Sequence, residues 1–154
     1  MGFQTLERPG MTIHYAPLGL FATNCYVIRC HQTNACAIID SSSDFEVIEA
    51  MVGGAGGQVT SLLQTHAHID HVAALAQTKA AYQAPIVIHR NEMPLYQAAP
   101  MQGQMFGITT EPLPEPDQFV DEGEIVTVGS LRAEVIYTPG HTPGGICFWF
   151  CDQS

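Results

Sequence analysis

The sequence predicts a layered α/β domain. Strand-length apolar runs alternate with helix-forming stretches through the first hundred residues, and 154 residues suffice for one independent core. Residues 24–29 and 35–40 are apolar, β-branched runs separated by His31-Gln32-Thr33-Asn34, the pattern of a hairpin ending at an acidic residue. Ser43-Asp44-Phe45-Glu46 has capping-box spacing, which predicts a helix over about 44–52 that stops in Gly53-Gly54-Ala55-Gly56-Gly57. Residues 59–64 read as a buried strand, and the Ala-rich stretch 70–82 as a helix by propensity. Residues 85–89 form another buried strand, followed by a weaker helix near 91–98.

Residues 100–124 differ in composition. They hold Pro112, Pro114 and Pro116 and six acids (Glu111, Glu115, Asp117, Asp121, Glu122 and Glu124) without a basic residue, and are expected to be an acidic connection between two halves of one domain. Three strand-like runs follow at 125–128, 131–138 and 146–151, the first two joined by Gly129-Ser130 as a tight turn.

Composition excludes several function classes. Five Lys and Arg against fifteen Asp and Glu give a formal charge of -10, so a basic nucleic-acid footprint is absent. No run has membrane-spanning length and the N-terminus lacks the basic-then-apolar order of a leader, which leads us to expect neither membrane nor secretion. The five cysteines are odd in number with no C-x-x-C pair, so a disulfide framework or thiolate zinc site is not expected. Reduced thiols and a cytoplasmic protein follow, with Cys30 and Cys36 as small buried hydrophobes flanking a turn. Charged residues make up 13%, about half the globular norm of ~25%.

The chemistry concentrates in His66-Ala67-His68-Ile69-Asp70-His71, directly after a buried strand. With seven His in the chain, a chance match to this pattern has odds of roughly one in two thousand. In an extended segment residues i and i+2 project to the same side, so His66 and His68 can share an ion, while Asp70 and His71 approach from where a helix begins. Imidazole with carboxylate suits Zn²⁺, Fe²⁺ or Mn²⁺. In Thr138-Pro139-Gly140-His141-Thr142-Pro143-Gly144-Gly145, two Pro-Gly pairs fix a turn around His141, the natural third ligand of a His₃ site with water in the fourth position. His14, His31 and His89 have no partner at ligand spacing and read as structural.

These motifs, together with Asn24-Cys25-Tyr26-Val27-Ile28 and Ala37-Ile38-Ile39-Asp40, resemble the metallo-β-lactamase superfamily, and within it the glyoxalase II-like (hydroxyacylglutathione hydrolase) hydrolases, from about residue 11 onward. The resemblance implies an αβ/βα sandwich with two metals at one sheet edge. His66, His68 and His141 would hold the first ion, and Asp70 and His71 the second. Asp70 would also be the catalytic carboxylate, and Asp40 would support the metal loop from behind, although Ser41-Ser42-Ser43 stands where the family has Pro-Gly. The implied reaction is attack of a metal-activated hydroxide on a thioester or related carbonyl of a small molecule.

The family continues beyond the 146–151 strand to a bridging aspartate and a last histidine that this sequence lacks. Asp152 reads as a turn residue and not as that ligand. Residues 1–154 are therefore expected to be a single, C-terminally incomplete domain. Its exposed apolar face would be completed by self-association or by a complementing chain. Zinc is expected at the three-histidine site, with a weak second site, and iron and manganese also suit the ligands. Two alternatives stay open: a mononuclear iron persulfide dioxygenase, and a catalytically inactive, oligomerising metal-binding relative.

Overall fold

The computed structural model of the chain describes residues 2–150. Cys151 and Asp152 lie outside the described residues, so the reading of Asp152 has no structural counterpart.

Strand and helix follow the expected order from Thr23 to Phe106, apart from the division of one helix into two, and the described residues form ten strands and four helices. They are β1 (Gln4–Arg8), β2 (Met11–Leu18), β3 (Thr23–Cys30), β4 (Ala35–Ile39), α1 (Phe45–Ala55), β5 (Gln58–Leu63), α2 (Ile69–Val72), α3 (Leu75–Tyr82), β6 (Ile86–His89), α4 (Met93–Phe106), β7 (Gln118–Val120), β8 (Ile125–Val128), β9 (Leu131–Tyr137) and β10 (Ile146–Trp149), with a 3₁₀ turn at Arg90–Glu92 before α4. Strands β1 to β7 form one sheet in sequence order, and β10-β9-β8 form a second, antiparallel one. The first sheet is antiparallel through β1-β2-β3-β4 and parallel from β4 to β7.

Alternation of side chains along the large sheet builds two cores. Ala16, Cys25, Val27, Cys36, Ile38, Leu62, Ile86 and Ile88 face the helices, packing with Ile48, Met51 and Leu75. Ile28, Cys30, Ala37, Ile39, Leu63, Val87 and Val120 face the small sheet, packing with Val128, Leu131, Val135 and Ile146. Central strand β4 is buried at all five positions, as a strand covered on both faces must be. The result is the mixed α/β sandwich that the resemblance implies. Cys30 and Cys36 are both buried free thiols, as expected of small hydrophobes flanking the turn, and they point into different cores.

Several expected boundaries are corrected. The capping box does not form: Asp44 adopts a left-handed conformation (φ 51°), and its carboxylate accepts from Gly19 N–H at 3.0 Å instead of capping α1. The single helix expected over 70–82 is two, because Ala74 N–H donates to the carbonyls of Ser41 and Ser42 (3.0 and 3.1 Å), outside the helix. The 91–98 helix instead runs past Pro100 to Phe106, where Gly107 ends it in a left-handed turn. Within the stretch 100–124 the first residues thus belong to α4, and Gln118–Val120 joins the large sheet beside β6, which leaves 107–117 and 121–124 as irregular chain. Asp117 fixes that junction, accepting from Lys79 Nζ and Ile86 N–H, each at 2.8 Å. β1 and β2 were not expected from the sequence. All five residues of β1 are exposed, so the strand carries no apolar alternation by which to find it.

Candidate metal centre

Parallel strands present their carboxyl ends along one edge of a sheet, where ligands bind in α/β folds. Asp40 follows β4, the 66–71 segment follows β5, and the Arg90–Glu92 turn follows β6, all at this edge. The β9–β10 turn brings His141 to the same place, tied by a hydrogen bond from Ile146 N–H to Thr65 O of 3.0 Å.

His66, His68 and His141 converge, each offering a ring nitrogen within 4.8 Å of the others. His68 Nδ1 and His141 Nε2 lie 3.1 Å apart, close to the ~3.3 Å edge of a tetrahedron with Zn–N bonds of 2.0–2.1 Å. His66 Nδ1 is 3.0 Å from the Thr65 hydroxyl, while its buried Nε2 has no hydrogen-bond partner and is left for another occupant. Desolvation, then the neighbouring His71, pushes the His66 pKa down to about 4. Burial and the nearby His141 lower that of His68. Both rings are therefore neutral at pH 7, the form a metal requires.

Asp70 and His71 lie beside this cluster. The His66 and His71 rings are 3.8 Å apart, and His71 Nε2 is 3.4 Å from Asp70 Oδ2, which accepts from the Thr23 hydroxyl at 2.6 Å. Asp40 accepts from His71 Nδ1 (2.8 Å), from Thr65 N–H (2.8 Å) and from the Thr65 hydroxyl (2.7 Å). Burial alone would lower the His71 pKa, but the Asp40 hydrogen bond, with the Asp40 and Asp70 charges, raises it. Among the described residues Asp70 and His71 join no set of three or more convergent donors; the three-histidine group is the one such set.

A cavity of about 360 Å³ opens on the centre, lined by Phe21, His68, Ile69, Asp70, Gln102, Met105 and Phe106. No lysine or arginine lines it. Phe21 meets Phe106 edge to face at 5.2 Å between ring centres, joining the β2–β3 loop to α4.

The three histidines read as structural lie away from the ligand cluster. His14 is buried with its ring 4.7 Å from that of Phe3, His31 pairs with Glu7, and His89 stacks on Tyr137 at 4.6 Å. Sequence reasoning missed Glu92, which is fully buried under the centre. Its one sequence signal is position: it follows β6 at the edge where β4 leads to Asp40 and β5 to the 66–71 histidine motif. Thr23 and Thr65, which orient Asp70 and Asp40, were missed as well; nothing in their local sequence marks them.

Similarity to known proteins agrees with this geometry. The family model described as the metallo-beta-lactamase superfamily matches residues 18–153. The chain is 36% identical over 129 residues to a hydroxyacylglutathione hydrolase of Rhodospirillum rubrum, covering 84% of this chain and 43% of that protein. It is 34% identical over 140 residues to the hydroxyacylglutathione hydrolase GloC of Haemophilus influenzae, covering 90% of this chain and 66% of the relative. The chain thus spans less than two thirds of these relatives' length. Among solved structures, a protein crystallised in a di-iron-bound form superposes with a TM-score of 0.77 at 29% identity, over 87% of this chain and 65% of the other. The B3 metallo-β-lactamase BLEG-1 shares the fold with a TM-score of 0.79 at 24% identity, over 90% of this chain and 66% of its own. A family model covering most of the chain, with the three histidines converging at the sheet edge, establishes that this chain belongs to the metallo-β-lactamase superfamily.

Proposed function

We propose that this chain supplies the metal centre of a metal-dependent hydrolase of the glyoxalase II-like type, acting on a thioester or related carbonyl of a small molecule. The observation that carries the reading is the convergence of His66, His68 and His141 around the unpartnered, buried Nε2 of His66. Three imidazole nitrogens brought together in this way would fit Zn²⁺, and iron or manganese would suit the same nitrogens. An ion held there supplies Lewis acidity and lowers the pKa of a water toward neutrality.

The protein's own groups do the rest. Asp40 holds His71 by Nδ1, which turns Nε2 toward Asp70, so that the two side chains could share an ion. The Thr23 hydroxyl fixes the Asp70 carboxylate beside the centre, where it can hold an ion or take a proton at its other oxygen. Phe21, Ile69, Met105 and Phe106 wall the cavity, where they exclude water and bind the apolar part of the substrate. The relatives named as hydroxyacylglutathione hydrolases support a thioester. With neither lysine nor arginine in the lining, the cavity gives no support to an anionic glutathione moiety at this place.

Elemental analysis of protein purified without chelator tests the reading. We expect about one divalent ion per chain, lost in His66→Ala and His141→Ala and kept in His89→Ala; equal losses in all three contradict the ligand set. A second reading, a mononuclear iron persulfide dioxygenase, is favoured by one specific observation, that a single set of three donors converges among the described residues. Oxygen uptake with glutathione persulfide, in place of thioester hydrolysis, would decide for it.

A further inference from the structure

Among the described residues Glu92 alone of the acidic side chains has no solvent exposure. Burying a carboxylate is expensive unless each oxygen is paired, and here each oxygen takes one backbone N–H. Oε2 accepts from Ala67 at 2.8 Å, and Oε1 accepts from Gly144 at 2.7 Å. Ala67 lies between His66 and His68, whereas Gly144 is three residues past His141. One carboxylate therefore joins the two ligand-bearing loops, which come from different sheets.

The surroundings are built around this link. A Cβ on Gly144 would stand 2.7 Å from Glu92 N and 2.9 Å from Glu92 Cγ, so only glycine lets the loop approach this closely. The same 3₁₀ turn grips the His141 loop a second time: Asn91 Nδ2 donates to the Tyr137 hydroxyl (3.2 Å), which donates to Pro143 O (2.7 Å).

We propose that Glu92 is a positioning residue for the metal centre, its carboxylate holding His66 and His68 on one loop, and His141 on the other, at the spacing that one ion requires. The inference rests on the three-histidine reading given above. A glutamine at this position keeps the volume but offers one acceptor oxygen and turns an NH₂ toward the other backbone N–H, so one loop is released.

The test is a cycle of zinc affinities, measured by competition with a chromophoric chelator, for the wild type, Glu92→Gln, His141→Ala and the double variant. Loss of a group that orients ligands typically costs 10–100-fold in metal affinity, and we expect a loss in that range for Glu92→Gln. In the His141→Ala background the same substitution should change affinity little, because the loop it restrains no longer carries a ligand. Hydrogen exchange on the metal-free chain is the companion measurement: the Ala67 and Gly144 amides should lose protection together in Glu92→Gln.

Unchanged affinity in Glu92→Gln overturns the proposal. An equal loss in the His141→Ala background also overturns it, since it marks a general loss of stability. A wild type that binds no metal overturns the three-histidine reading, and the exchange measurement then stands alone, with unchanged exchange at the two amides sinking the link. Should Glu92→Gln fail to fold, Tyr137→Phe releases only the second grip and should give a smaller loss, again confined to the background that retains His141.

Discussion

At the residue scale, the candidate site was legible where its donors are crowded into one motif. His66, His68, Asp70 and His71 fall within six positions, and His141 sits in a turn written by two Pro-Gly pairs. Asp40, marked by the resemblance, holds His71 at 2.8 Å. Glu92 was not legible, because its role depends on two backbone amides separated from it by 25 and 52 positions. The histidines also predict how the metal-free protein responds to acid. The His66 pKa is about 4 in the folded chain against 6.5 for an unperturbed ring, so the unfolded chain binds more protons between these values. The stability this difference represents is present above pH 6.5 and is lost as pH falls toward 4. His68, also lowered, acts in the same sense. His71, raised, opposes them, adding stability at acid pH that is lost as pH rises through its folded value. Urea midpoints of the metal-free wild type should therefore decline from pH 7 to 4, and His66→Gln should flatten that decline; parallel curves would contradict the assignment of the dominant group.

At the element scale, local sequence signals located the central strands and failed where distant contacts override propensity. Ala-rich 70–82 reads as one helix, yet the carbonyls of Ser41 and Ser42 capture the Ala74 amide and split it. Helix α4 shows the reverse: it continues through Pro100, which cannot donate to the carbonyl of Tyr96. Tyr96, Ala99 and Gly103 are buried along it, and the Tyr96 hydroxyl donates to Pro114 O at 2.6 Å, pinning the irregular segment that follows. Tertiary packing thus maintains a helix that its sequence interrupts. Pro100→Ala restores the missing donor, and we expect it to stabilise the protein by roughly 1–3 kcal/mol in urea unfolding. A lower midpoint would mean that the proline is favoured by its surroundings.

At the scale of the whole molecule, the alternation of apolar runs was enough to predict the layers, and the strand assignments at 24–29, 35–40 and 125–128 agree with the sheets. The low charge content has a visible counterpart in Phe21, Met105 and Phe106, large apolar side chains that line the cavity and remain exposed, and in the exposed Leu20 and Met101 next to them in sequence or on the same helix. Apolar surface concentrated in this way fits either a ligand-binding groove or a place of association, and concentration dependence separates the two. We expect light scattering to give a mass above 16.7 kDa that falls with dilution and in Phe106→Glu. A constant monomer mass at high concentration would refute self-association. No helix among the described residues is long and apolar enough to cross a membrane.

The large sheet adds its strands in the order in which they occur in the chain. During synthesis each new strand therefore emerges next to one already made, and contacts of short sequence separation accumulate without waiting for the C-terminal half. The ligands do not follow this rule, since His141 lies 73 positions beyond His68. An ion gripped by both histidines closes a long loop late, after most of the large sheet has had the chance to pair. Ion capture would then follow the pairing of the large sheet on the ribosome more than precede it.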